Sequence, residues 1–154
     1  MINEHTWFRG EYYFLSNFYQ TDIVYDNLHF TSAEAAFQSA KTTNFDTKLK
    51  FTKLNPSQAK ALGRSIKLRE DWEDIKDKVM YDVLHIKFGN YILAERLVKT
   101  NDATLVENND WGDTYWGVDK SKGGLNKLGH ILMEIREEKK QEFINLCNSD
   151  DWTS

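Results

Sequence analysis

The spacing of apolar residues changes character along the chain. Ile23-Val24-Tyr25 and Leu28-His29-Phe30 are short β-prone runs on either side of Asp26-Asn27. Asp and Asn tolerate left-handed turn geometry, so the pattern predicts a β-hairpin. A helix is predicted after Thr31. Thr31-Ser32-Ala33-Glu34 has the hydroxyl-to-carboxylate spacing of a capping box, with Phe30 at the staple position before it. It should run to about Thr43. A second helix is expected over 46–53. A third is expected from Asn55, with Pro56 at the first helical position and Gln58 as box partner, ending near Gly63. Ile75, Val79, Val83 and Ile86 recur at helical spacing within 72–88. Gly89-Asn90 breaks that helix, and Tyr91–Lys99 reads as another. Residues 101–124 carry Asn-Asn-Asp-Trp-Gly-Asp, Trp-Gly and Gly-Gly. They read as a long loop, and a loop of that length is often functional. The last helix is expected over 125–145, with Leu125, Leu128, Ile131, Leu132 and Ile135 toward the core and Glu137–Lys140 toward solvent. The chain thus reads as mainly α, a single compact helical domain with a short N-terminal β-hairpin.

Composition narrows the class. A length of 154 residues suits one domain, and 40% hydrophobic with 29% charged residues is ordinary for a soluble protein. Five Trp, seven Tyr and nine Phe are enough to line a pocket for a flat ligand as well as a core. No window approaches the roughly 18 consecutive apolar residues of a membrane span. Met1–His5 has neither the basic nor the apolar region of an export signal, and Cys147 is the single cysteine, so a reducing cytoplasm is expected. One Cys and four scattered His give no metal-ligand spacing. A net charge of −4 argues against a protein that coats duplex nucleic acid. It leaves room for one nucleotide in a pocket.

Several residues carry candidate chemistry, each with a plainer reading beside it. Glu34, Gln38 and Lys41 share a helix face by their spacing, yet the same spacing lets Glu34 simply close the capping box. Asp113, three residues before Trp116-Gly117, presents an acid beside an aromatic platform or forms an ordinary Asx-turn. Trp72 is a core anchor or a stacking ring. Ser16 and Asn17 sit between apolar residues and suit either a ligand's polar edge or a turn. Gly123-Gly124, before the last helix, could offer backbone N–H groups to phosphate. Two carboxylates among aromatics would suit glycosidic-bond cleavage.

In combination these segments resemble the NADAR (NAD- and ADP-ribose-associated) domain family, which includes the YbiA-like N-glycosidases. The resemblance runs from Phe14 to Arg136. It rests on Phe14-Leu15-Ser16-Asn17-Phe18-Tyr19, Thr31–Gln38 with Lys41, and Ala61-Leu62-Gly63-Arg64. It continues through Trp72, Val79-Met80, Lys87-Phe88, Leu105-Val106-Glu107, Asp113 with Trp116-Gly117, and Gly124–Gly129 with Leu132-Met133 and Arg136.

The resemblance implies a mainly helical enzyme that cleaves N-glycosidic bonds without metal or cofactor. It implies one of two substrates. The first is ADP-ribosylated guanine in single-stranded DNA or a nucleotide, the product of a DarT-type toxin that would be a genetic partner. The second is a pyrimidine ribosyl phosphate of early riboflavin synthesis. By matching position, Glu34 is the family's essential acid and Asp113 its second carboxylate. Trp72 and Phe14 are implied to stack on rings, Lys41 to meet phosphate, and Asn17, Trp116 and Asn126 to complete the pocket. Two positions depart from the family. Ala35 stands where many members have His, and Asp119, where many have Gly, is expected to add negative charge near the pocket. Two other classes remain open on the residues alone: a reader that binds ADP-ribose without chemistry, and a small helical adaptor.

Overall fold

The computed structural model describes residues 4–149. The reading of Met1–Asn3 as part of a leader-free N-terminus lies outside them. Strand β1 (Glu4–Thr6) leads into a 3-10 helix, Gly10–Leu15. The predicted hairpin follows as β2 (Gln20–Tyr25) and β3 (Leu28–Ser32), antiparallel, with Tyr25 opposite Leu28. Asp26 and Asn27 form its turn, both at positive φ (53° and 63°).

Helix α1 (Ala33–Ser39) begins one residue later than the capping-box reading requires. Ser32, not Thr31, is the N-cap, and its hydroxyl accepts the Ala35 N–H at 3.1 Å. The shift removes Glu34 from the box position and leaves its carboxylate for other partners. All seven residues of α1 are buried. It packs against β3, α2 (Phe45–Phe51), α3 (Pro56–Ser65) and α4 (Trp72–Lys87), so it forms the centre of the molecule. Ala35 is fully buried there.

At α3 the box is complete. Asn55 Oδ1 accepts the Gln58 N–H at 2.8 Å, and Gln58 Oε1 accepts the Asn55 N–H at 3.0 Å. On α4 the buried face is Trp72, Val79, Met80, Val83, Leu84 and Lys87. Ile86, expected on that face, is turned outward. Asn90 caps α5 (Tyr91–Val98) through the Leu93 N–H.

The predicted long loop contains short strands: β4 (Thr104–Val106), β5 (Asn108–Asn109) and β6 (Val118–Asp119). β4 pairs in parallel with β1, and β5 with β6. Helix α6 (Lys127–Asn148) starts after Asn126, which sits at φ 54°. Leu125, expected in the core, precedes the helix and is 57% exposed. Leu128, Ile131, Leu132 and Ile135 are buried as their spacing predicts. Lys139 is buried as well, its amine 2.9 Å from the Glu142 carboxylate, where a solvent-facing side chain was expected. The hydrophobic stem lies along the core and the charge reaches its edge.

No described helix is long and apolar enough to cross a membrane. Among the described residues, no group of three His, Cys, Asp or Glu is placed to hold a metal ion.

Candidate active site

A cavity of about 820 Å³ opens over one side of α1. Its floor carries Glu34, Phe37 and Gln38, with Lys41 just past the helix end. The turn Ser16–Phe18 forms one wall. Helix α3 contributes Lys60 and Arg64, and the segment after β4 contributes Glu107, Trp111, Asp113 and Trp116. Trp7 and Arg9 complete the rim.

Glu34 is held from two sides. Its backbone N–H donates to the Asn17 carbonyl at 3.0 Å, and its Oε2 accepts from Gln38 Nε2 at 2.6 Å. It is 8% exposed. Burial pushes its carboxyl above the usual range, and the charge of Asp113 adds to the rise. The Gln38 hydrogen bond and the charges of Lys60 and Lys41 pull it back. Gln38 can lie where it does because position 63 is glycine: a Cβ there would collide with its amide oxygen.

Two buried acceptors are orphaned. Asn17 Oδ1 and Gln38 Oε1 have no hydrogen-bond donor among the described residues, although both side chains line the cavity. Leaving such atoms unpaired costs about 1–3 kcal/mol each. A ligand carrying hydroxyl or amino groups would satisfy them.

Glu107 is a third carboxyl in the cavity. Burial first, then the charges of Asp113 and Glu34, push it up to about 7, against Lys60 and Arg9. Asp113 differs. Its Oδ1 accepts the N–H groups of Tyr115 (3.1 Å) and Trp116 (2.9 Å), so that atom makes the Asx-turn read from the sequence. The Asn109 side chain clasps the Asp113 backbone at 2.9 and 3.0 Å. Lys41 is lowered by burial and by the neighbouring Arg64 and Lys60, with Glu34 opposing.

Of the residues singled out in the sequence, Glu34, Asn17, Lys41, Asp113 and Trp116 come together in this cavity. Phe14, Trp72 and Asn126 do not line it. Trp72 is 5% exposed and packs behind Phe37, ring centroids 5.2 Å apart. Phe37 meets the cavity in its place and stands edge-on to Trp116 at 5.4 Å. Phe14 is buried against Phe88 and under the Arg96 guanidinium. Asn126 braces the site from outside: its Oδ1 accepts the Glu107 N–H at 3.0 Å and its Nδ2 donates to Leu105 O at 2.9 Å.

The Gly123–Asn126 backbone offers phosphate little, for three of its four N–H groups are committed. Gly123, Leu125 and Asn126 donate to the carbonyls of Asp119, Thr114 and Gly117. Asp119 is not pocket charge. It is buried within the loop, accepting from Gly112, Ser121 and Lys122, and these bonds hold it down to about 2.

Sequence reasoning gave no role to Glu107, Arg9, Lys60, Arg64 or Trp111. Lys60 and Arg64 were readable in principle, being four apart on one helix face. Glu107 carried no local signal, since its place depends on pairing with distant segments.

The pocket gathers one buried carboxyl, Glu34, and two half-buried ones, Glu107 and Asp113, under an aromatic and cationic rim. The sequence profile of the NADAR domain matches residues 4–139, and the chain belongs to that family. It is similar to the N-glycosidase YbiA of Escherichia coli, 35% identical over 127 residues, which is 80% of this chain and 79% of that protein. An N-glycosidase of Nostoc punctiforme is 43% identical over 86 residues, 54% of each chain. A riboflavin biosynthesis protein of Vibrio vulnificus is 35% identical over 81% of this chain but only 35% of its own length. The NMR structure of E. coli YbiA superposes with a TM-score of 0.83 at 31% identity, over 94% of this chain and 89% of that one.

Proposed function

We propose that this protein hydrolyses the N-glycosidic bond between a ribosyl C1′ and a nitrogen of a flat heterocycle, and that its substrate is ADP-ribosylated guanine. Glu34 steadies the developing ribosyl cation and the attacking water, with Asp113 as its partner. The observation that carries the reading is the division of one cavity into a carboxyl floor and a cationic, aromatic rim. Among the described residues Arg9, Lys41, Lys60 and Arg64 form no ion pair, in a chain of net charge −4. Concentrated unpaired cations suit phosphates. Lys60 Nζ lies 5.7 Å from the Phe18 ring centroid and 5.4 Å from that of Trp111. Trp111 is 54% exposed. An open pair of rings beside a cation suits a second base next to a diphosphate.

A second reading has its own support. Relatives in Vibrio vulnificus and Arabidopsis thaliana are named as riboflavin biosynthesis proteins, and a pyrimidine ribosyl phosphate presents the same bond. The two substrates are separated by mass spectrometry of the purified protein with a guanine-ADP-ribosylated oligonucleotide and with the pyrimidine ribosyl phosphate. Free ADP-ribose and restored guanine support the first reading and a function reversing a DarT-type toxin, as a phage would need against such a defence. Release from the pyrimidine alone supports the second. Silence on both, with ADP-ribose bound, indicates a reader without chemistry.

Two expectations follow. Base stacking on an aromatic ring is worth about 1–3 kcal/mol. Trp111→Ala should therefore raise KM for the ADP-ribosyl substrate about 5- to 150-fold, and leave the ribosyl monophosphate unaffected. A parallel rise on both would remove the second base from the rim. Extruding a base from a duplex costs a few kcal/mol, so single strands should turn over faster than duplex of the same sequence. Equal rates would contradict this.

A further inference from the structure

We infer that Glu107 is the proton donor to the departing base, an inference that rests on the N-glycosidase reading above. Three carboxyls face one cavity, and their hydrogen bonds divide the work. Asp113 Oδ1 is committed to two backbone N–H groups. Glu34 is tied to Gln38. The Glu107 carboxyl has no hydrogen-bond partner among the described residues, while its main chain is held on both sides. Its N–H donates to Asn126 Oδ1, and its carbonyl accepts the Val118 N–H at 2.8 Å. Gly117 lies flush against it, leaving no room for a Cβ. A side chain whose root is fixed and whose carboxyl has no internal partner can turn its proton toward a bound ligand.

That the cavity takes a polar ligand is marked independently. Asn17 and Gln38, 7% and 5% exposed, line it with orphaned acceptor oxygens. Groups facing Glu107 come from every side. Asp113 and Glu34 favour its protonated form, while Lys60 of α3 and Arg9 of the rim oppose it. Glu107 also acts on Lys87 of α4, a buried amine that donates to Ser16 O at 2.8 Å. The balance leaves Glu107 able to hold a proton near neutrality.

The step balances without another reactant. The C1′–N bond breaks and its electron pair goes to nitrogen, which takes the Glu107 proton. A water oxygen bonds to C1′, and its proton passes to the Glu34 carboxylate. Exchange with solvent restores both carboxyls.

The test uses a leaving group that needs no proton. Glu107→Gln and Glu34→Gln are each assayed on the guanine-ADP-ribosylated oligonucleotide and on 4-nitrophenyl ADP-ribose. Glu107→Gln should lose about 10²–10⁴-fold in kcat on the guanine substrate and less than about tenfold on the nitrophenyl substrate. Glu34→Gln should lose on both. The wild-type kcat/KM on guanine should fall as pH rises through about 7, and that limb should vanish in Glu107→Gln. Should Glu107→Gln melt early, the wild-type limb and Glu107→Asp decide, since the shorter acid should restore part of the guanine rate. Equal losses on both substrates, or no loss on guanine, would overturn the assignment alone. A wild type that releases nothing from either compound, nor from the pyrimidine ribosyl phosphate, overturns the N-glycosidase reading with it.

Discussion

Replacing Glu34 by Gln is expected to lower kcat about 10²–10⁴-fold, the usual contribution of one positioned acid–base group. The substitution isolates chemistry from packing. Gln keeps the volume of Glu and still offers an oxygen to Gln38 Nε2, so the contact at 2.6 Å persists. The Ser32 cap and the Glu34 N–H bond to Asn17 are untouched, because neither involves the Glu34 side chain. The stability effect has a definite sign. The folded-state pKa of Glu34 is raised above 4.5. Its native form therefore binds more protons than the unfolded chain, and stability falls as pH rises from about that value through the folded one. Gln escapes this cost. At pH 8 Glu34→Gln should melt no lower than wild type, and its advantage should shrink as the pH is taken down to 4. Turnover and thermal melts on the same preparation check both statements. Near-full activity in a variant that melts like wild type would remove Glu34 from the reaction.

The capping position shows why the sequence was legible at α1 only in part. Thr31 and Ser32 are adjacent hydroxyl residues, and either could cap. Choosing Thr31 makes Glu34 a structural box partner; Ser32 makes it free. One residue of register decides the reading of the carboxyl, and it is settled by how β3 feeds α1. Where the signal is local the pattern sufficed. The Asp26-Asn27 turn and the Asn55–Gln58 box need nothing beyond their own neighbours. The aromatic roles were less accessible. Trp72 is close enough to stack on Phe37, but only packing reveals that Phe37 stands between it and the cavity. Glu107 is harder still. Its place is set by Asn126 and Gly117, ten or more residues away, and by the pairing of β4 with the N-terminal strand.

Gly117→Ala should damage both stability and rate, through a position that does not line the cavity. The site segment 107–126 closes on itself there. The Gly117 carbonyl accepts the Asn126 N–H at 3.2 Å, and the next residue, Val118, donates to the Glu107 carbonyl at 2.8 Å. A methyl group on Gly117 would overlap the Glu107 carbonyl oxygen and come within 2.8 Å of Asn109 Nδ2 and 3.0 Å of Glu107 Cγ. The obstacles are mostly main chain and a hydrogen-bonded amide, so no flexible side-chain tip can swing aside. Overpacking of this kind costs about 1–3 kcal/mol. For a chain of this size that is a Tm lower by roughly 2–12 °C. The rate should suffer more. Asn109 is the clasp that holds the Asp113 backbone, and Glu107 is pressed directly, so two of the three carboxyls move together. A misplacement of about 1 Å can cost 10²-fold. A thermal melt and kcat/KM on the guanine substrate read the two effects separately. A variant with wild-type Tm and wild-type rate would mean that the loop yields freely, and that Glu107 and Asp113 are not held in place by this closure.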